Sequence, residues 1–126
     1  MPKRVLFIVE RGGYALPVDA LGARGYRVEV ETSMRKALTR LKHEMPAVVV
    51  AEFNFGPRYG DRISNLEPLL ARLQAEPRPA KVVVLAERDY RHHVDILRAR
   101  FAIEAVLVFP IDGGALTETI ARAVPA

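Results

Sequence analysis

The sequence predicts one doubly wound α/β domain over residues 1–126, in which five parallel strands alternate with five helices. Three observations carry this. Continuous apolar runs of four or five residues recur at 5–9, 47–51, 82–86 and 105–108, as strands covered on both faces of a parallel sheet require. A fifth run differs, because Tyr26, Val28, Val30 and Thr32 alternate with Arg27, Glu29 and Glu31. That period of two marks a strand with a wetter face, at an edge of the sheet. Between the runs the apolar spacing turns helical, giving the order βαβαβαβαβα.

Each helix can be placed from its stripe and its start signal. Pro17 opens the first at N1, after a turn containing Gly12 and Gly13. Met34, Ala37, Leu38 and Leu41 fall at i, i+3, i+4 and i+7 behind a Ser33 cap, defining the second. Ser64 and Glu67 have the spacing of a capping box ahead of Leu66, Leu69, Leu70 and Leu73, with Pro68 in the first turn. Tyr90, Val94, Leu97 and Phe101 line one face of the fourth helix. Asp112 caps the fifth, which carries Leu116, Ile120 and Val124 inward. The loop-like stretches are 53–62, rich in Gly and Pro, and 76–80, with Pro77 and Pro79.

Composition excludes several classes of function. With 126 residues, half of them hydrophobic, the chain fills one core and leaves little for a second domain. Disulfides, thiolate metal sites and cysteine nucleophiles are ruled out because there is no cysteine. No apolar run nears the roughly 20 residues that span a bilayer, and the N-terminus lacks the order of a signal peptide, so a cytoplasmic protein is expected. The net charge of +4 comes from 19 basic residues spread along the chain without a block or interleaved aromatics. Binding to nucleic acid is therefore not expected. His92 and His93 point about 100° apart on one helix and cannot share a metal from one side. With the isolated His43, they read as surface residues.

Taken in order, several segments resemble the chemotaxis-type receiver domain of response regulators. They are residues 4–10, Gly25-Tyr26-Arg27-Val28, Ala37-Leu38, residues 46–52 and Phe109-Pro110-Ile111-Asp112. This resemblance implies a flavodoxin-like (βα)5 fold with strand order 2-1-3-4-5 and helices on both faces. It also implies a phosphoacceptor Asp at the end of the third strand, where this chain has Glu52. The carboxylate there sits one methylene further out, which spoils the in-line geometry of phosphoryl transfer. The family's acidic pair falls on Val9 and Glu10, leaving one carboxylate. Its Ser/Thr and Lys positions hold Ala86 and Phe109, so neither a hydroxyl nor a cation is present to hold a phosphoryl group. The switch aromatic is replaced by Val106.

The expectation is thus a degenerate pseudo-receiver without catalytic residues, working by protein interaction in two-component-type signalling rather than by phosphorelay. No cofactor is expected, apart from a weak Mg2+ site at Glu10, Glu52 and the carbonyl of Asn54. The resemblance places a signalling partner or a second copy on the surface of the fourth helix, fifth strand and fifth helix. Candidate contacts there are Arg88, Tyr90, Arg91, His92 and Arg98. Phe55 and Tyr59, with Phe53, form either a lid over the acidic pocket or a second contact surface. Two alternatives stay open: a small-ligand, nucleotide or cation sensor at the strand ends near Glu10, Gly12, Gly13, Glu52 and Asn54, and an oligomerisation wing like that of amino-acid decarboxylases.

Overall fold

In the computed structural model, which describes residues 2–55 and 64–126, the apolar runs form one five-stranded sheet. The strands are β1 (Lys3–Ile8), β2 (Tyr26–Glu31), β3 (Val48–Glu52), β4 (Lys81–Ala86) and β5 (Ala105–Val108). All pairings are parallel and the order is β2-β1-β3-β4-β5, as the resemblance implied. The helices are α1 (Val18–Ala23), α2 (Met34–His43), α3 (Glu67–Gln74), α4 (Arg91–Arg98) and α5 (Gly113–Ala123), with a 3-10 turn at Arg88–Tyr90 leading into α4.

Alternation along the strands divides the core in two. Leu6, Ile8, Val49, Ala51, Val82, Val84 and Ala86 point to one face, where Ala37 and Leu41 of α2, Leu69 and Leu73 of α3, and Val94 and Leu97 of α4 cover them. Val5, Phe7, Val48, Val50, Val83 and Leu85 point to the other, covered by Leu21 of α1 and Leu116 and Ile120 of α5. Each fully buried Leu, Ile or Phe contributes about 1.5–3 kcal/mol relative to exposure, so the two layers hold the sheet from both sides.

The edges differ from the centre. On β2 the polar alternation is used for ion pairs: Arg40 bridges Glu31 at 2.6 Å and Glu29 at 3.4 Å, and Arg4 lies 3.6 Å from Glu29. At the opposite edge, β5 departs from the expectation of a strand buried on both faces. All four of its residues are half-buried, because it has a neighbour on one side alone.

Helix starts follow the sequence with two corrections. Ser33 Oγ accepts from Lys36 N at 3.1 Å, and Asp112 Oδ1 from Gly114 N at 3.1 Å, as expected. By contrast α3 begins at Glu67 with Leu66 at the N-cap. Ser64 Oγ accepts from Leu66 N at 3.0 Å and donates to Glu67 Oε1 at 2.6 Å, and that same Oε1 accepts from Ser64 N at 3.1 Å; the serine thus serves a residue ahead of the helix, which starts later. Pro17 likewise stands at the N-cap of α1 rather than at N1. Among the described residues, no helix is long and apolar enough to cross a membrane.

Candidate functional site

Strand periodicity determines where the one buried carboxylate of the sheet goes. Glu52 shares parity with Val48 and Val50, so its side chain emerges on the α1/α5 face, beside the loop that follows β1. It is 3 % exposed. An isolated buried carboxylate is costly, and the loop answers that cost. Arg11 N donates to Oε1 at 2.8 Å, Gly12 N to Oε2 at 3.0 Å, and the Tyr14 hydroxyl to Oε2 at 2.7 Å. Two successive backbone N–H groups converge on one anion because the chain turns sharply at Gly12 and Gly13, with φ of +73° and +87°. This is the use of the glycine pair.

Tyr14 feels its surroundings strongly. Burial, then the hydrogen bond to Glu52 and the negative charge of that carboxylate, raise its hydroxyl well above the ordinary tyrosine value. Its ring packs against Phe109 with centroids 5.3 Å apart. Where the resemblance places a lysine, an apolar ring therefore covers the tyrosine that holds Glu52. Ala86 is fully buried at the end of β4 and offers only a methyl group. Val106 packs among the residues of the α2/α3/α4 layer.

A second residue, Asn65, joins the strand ends. Its Nδ2 donates to Glu10 Oε1 at 2.6 Å and to the Glu52 carbonyl at 2.9 Å, and its Oδ1 accepts from Asn54 N at 2.7 Å. Asn65 N also donates to the Asn54 carbonyl at 3.1 Å. Glu10, Glu52 and Asn54 are thus brought together, as the sequence suggested, and hydrogen bonds already reach Glu10 Oε1, both Glu52 carboxylate oxygens and the Asn54 carbonyl. The described residues contain no group of three or more metal-ligating side chains. Val9 sits beside this cluster as a half-buried apolar residue packed on the α1/α5 layer.

Beside Glu52 a cavity of about 280 Å³ opens at the C-terminal rim of the sheet. Phe53, Asn54 and Phe109 line it together with Glu52, while the exposed Arg11 and Glu87 stand at its mouth.

The α4 side is organised by aromatic contact. Phe55 lies 4.5 Å from the His93 ring and 5.7 Å from that of Tyr90, and it stacks on Phe53 at 6.3 Å with the planes 8° apart. Phe55 remains 40 % exposed. It leans on α4 instead of forming a lid over the carboxylate, and Tyr59 lies outside the described residues. His93 is corrected from a surface residue to a half-buried member of this cluster, its Nδ1 shielded and without a hydrogen-bond partner among the described residues. His43 and His92 are exposed.

Of the candidate contacts, Arg88 and Arg91 are exposed, the latter 3.7 Å from Asp95, and Tyr90 is half-buried in the aromatic cluster. Arg98 turns back to the carbonyls of Ile103 and Glu104 at 3.1 and 3.0 Å, bracing the α4–β5 loop.

Sequence reasoning found Glu52 and missed Tyr14 and Asn65. The available signal for both was chemical: a tyrosine just after a glycine turn, and an asparagine next to the α3 start, each at the rim that holds Glu52.

No family model matches this sequence, and no curated protein matches it. Solved structures do. A response regulator from Thermotoga maritima superposes with a TM-score of 0.76 at 19 % identity, covering 100 % of both chains. The chemotaxis response regulator CheY4 of Vibrio cholerae does so at 0.75 and 20 %, over 98 % of this chain and 100 % of that one. A third, response regulator TrrA of Thermotoga maritima in complex with Mg2+-BeF, gives 0.69 and 19 % over 97 % and 99 %. The chain has the fold of response-regulator receiver domains.

Proposed function

We propose that this chain is a phosphorylation-independent, receiver-like interaction module of two-component-type signalling, acting in the cytoplasm and without an enzymatic step of its own. The observation that carries the reading is the state of Glu52. Both carboxylate oxygens are already held, by Arg11 N on one and by Gly12 N and the Tyr14 hydroxyl on the other. A nucleophilic carboxylate needs a free oxygen aligned with the incoming phosphorus, and charge-assisted hydrogen bonds of about 1.5–3 kcal/mol each oppose its release. Nothing at Ala86 or Phe109 would replace them by holding a phosphoryl oxygen.

TrrA was solved with Mg2+-BeF; for the present chain we read the same sheet end as a closed structural joint. No cation is needed in this reading, because the Asn65 amide already links Glu10 to the Glu52 carbonyl. The working surface is instead the rim of α4, β5 and α5. There Arg88, Arg91 and His92 are exposed and β5 is half-open along its length. Its basic side chains suit an acidic patch on a signalling protein or on a second copy of this chain.

Binding should then be indifferent to phosphodonors. Cross-linking mass spectrometry in the native host, with and without acetyl phosphate, is expected to give the same α4-centred contacts. Charge reversal at Arg88 and Arg91 should remove them. Contacts that appear only after phosphodonor treatment would contradict the proposal.

A further inference from the structure

The basic residues form no block along the chain, and the fold makes one. Helix α2 has no acidic residue: Ala37 and Leu41 turn inward, while Arg35, Lys36, Thr39, Lys42 and His43 are all exposed. Arg27 adds to the same side, because it shares strand parity with Glu29 and Glu31, which Arg40 of α2 bridges. It lies 3.8 Å from Glu29, with its side chain 67 % exposed. The groove beside the helix holds two carboxylates, Glu31 and Glu44, and both are already paired, the first with Arg40 at 2.6 Å and the second with Arg4. Among the described residues Arg35, Lys36 and Lys42 have no ion pair.

Two of these cations stand where folding alone disfavours them. Ser33 caps α2, so Arg35 and Lys36 fall in its first turn, at the positive end of the helix dipole. Acidic side chains suit that end, whereas a cation there is repelled by the free N–H groups. Their placement points to a ligand outside the chain, and its chemistry follows from what the face lacks. The large hydrophobic side chains left exposed among the described residues, Val18, Val30, Phe55 and Ile96, all lie off α2. An anionic membrane calls for an apolar residue to insert, a single strand for a ring to stack on, and an acidic protein for an apolar centre to the contact. Charge alone suffices for the phosphates of a duplex, which carry affinity without reading sequence. We infer that the outer face of α2, with Arg27, binds the phosphate backbone of a nucleic-acid duplex.

The test is fluorescence anisotropy of a labelled, mixed-sequence DNA duplex titrated with the whole chain. Binding is expected at about 50 mM salt, and about four phosphate contacts predict a loss of about a hundredfold by about 200 mM. Arg35→Gln, Lys36→Gln and Lys42→Gln combined should weaken the duplex by about tenfold or more at the lower salt. The thermal midpoint of that variant should stay level or rise, since two cations leave the positive end of the helix. The matched control, Lys81→Gln with Arg100→Gln and Arg122→Gln, removes the same charge from exposed positions off α2 and should weaken the duplex less than about threefold. Equal losses in the two variants would reduce the binding to net charge and overturn the inference. So would a duplex left unbound at about 50 mM salt, whether or not polyglutamate or phosphatidylserine vesicles bind in its place. Neither result bears on whether Glu52 accepts a phosphoryl group or on the α4 contacts.

Discussion

Two regions at the C-terminal rim of the sheet are built in opposite ways. Around Glu52 the polar side chains face inward and are spent on one another, across the loop after β1, the end of β3 and the start of α3. On α4 and the 3-10 turn before it the charged side chains of Arg91 and Arg88 face solvent, and the aromatic cluster of Phe53, Phe55, Tyr90 and His93 leaves Phe55 partly open. A carboxylate whose oxygens are occupied holds elements together, whereas exposed charge and a partly open aromatic ring are available to another molecule. The resemblance in sequence implies a receiver's chemistry in the first of these regions; in the function proposed for this chain that region is a joint.

If that contrast is right, substitutions in the joint should cost stability and those on α4 should not. Glu52→Ala removes three charge-assisted hydrogen bonds and leaves their donors unpaired; we expect a loss of about 3–5 kcal/mol in urea unfolding, a large share of the roughly 5–15 kcal/mol that domains have. Asn65→Ala unpairs the Glu10 carboxylate, the Glu52 carbonyl and the Asn54 N–H together, and should cost about 2–3 kcal/mol by the same assay. Tyr14→Phe loses one bond to a charged acceptor, for about 1.5 kcal/mol.

Tyr14 also gives the joint a pH signature. Its hydroxyl is raised in the folded chain above the ordinary value of 10.0, so in alkaline solution the unfolded chain releases a proton that the folded chain keeps. The tyrosine's contribution is therefore complete below about pH 10 and is lost progressively as pH rises beyond it. Urea midpoints measured across that range should fall, and Tyr14→Phe should make the fall shallower. An equal slope in both proteins would remove Tyr14 from the joint. Smallest of all should be the effect of Ala at Arg88, Arg91 and His92, within about 0.5 kcal/mol each, although partner cross-links decline.

How much of this was legible beforehand follows from the range of the interactions. The strand runs and helix stripes are local patterns, and they placed every element to within a few residues. Glu52 was found because the resemblance singles out the residue that ends the third strand, and that strand is a local apolar run. Tyr14 and Asn65 were not, since their partners lie far along the chain: Tyr14 meets Glu52 across 38 residues and Asn65 meets Glu10 across 55. Only the parallel order of β1 and β3 brings these groups together. His93 was misplaced for a related reason. In sequence it follows the polar run Arg91-His92, and it is covered by Phe55, a residue after β3 that is distant along the chain.

The claim that Glu52 is a structural carboxylate can be tested directly by intact-protein mass spectrometry after incubation with acetyl phosphate and Mg2+. The account predicts an unmodified mass under conditions that label an authentic receiver to near completion. A stoichiometric, acid-labile phosphoryl adduct mapped to Glu52 would contradict it.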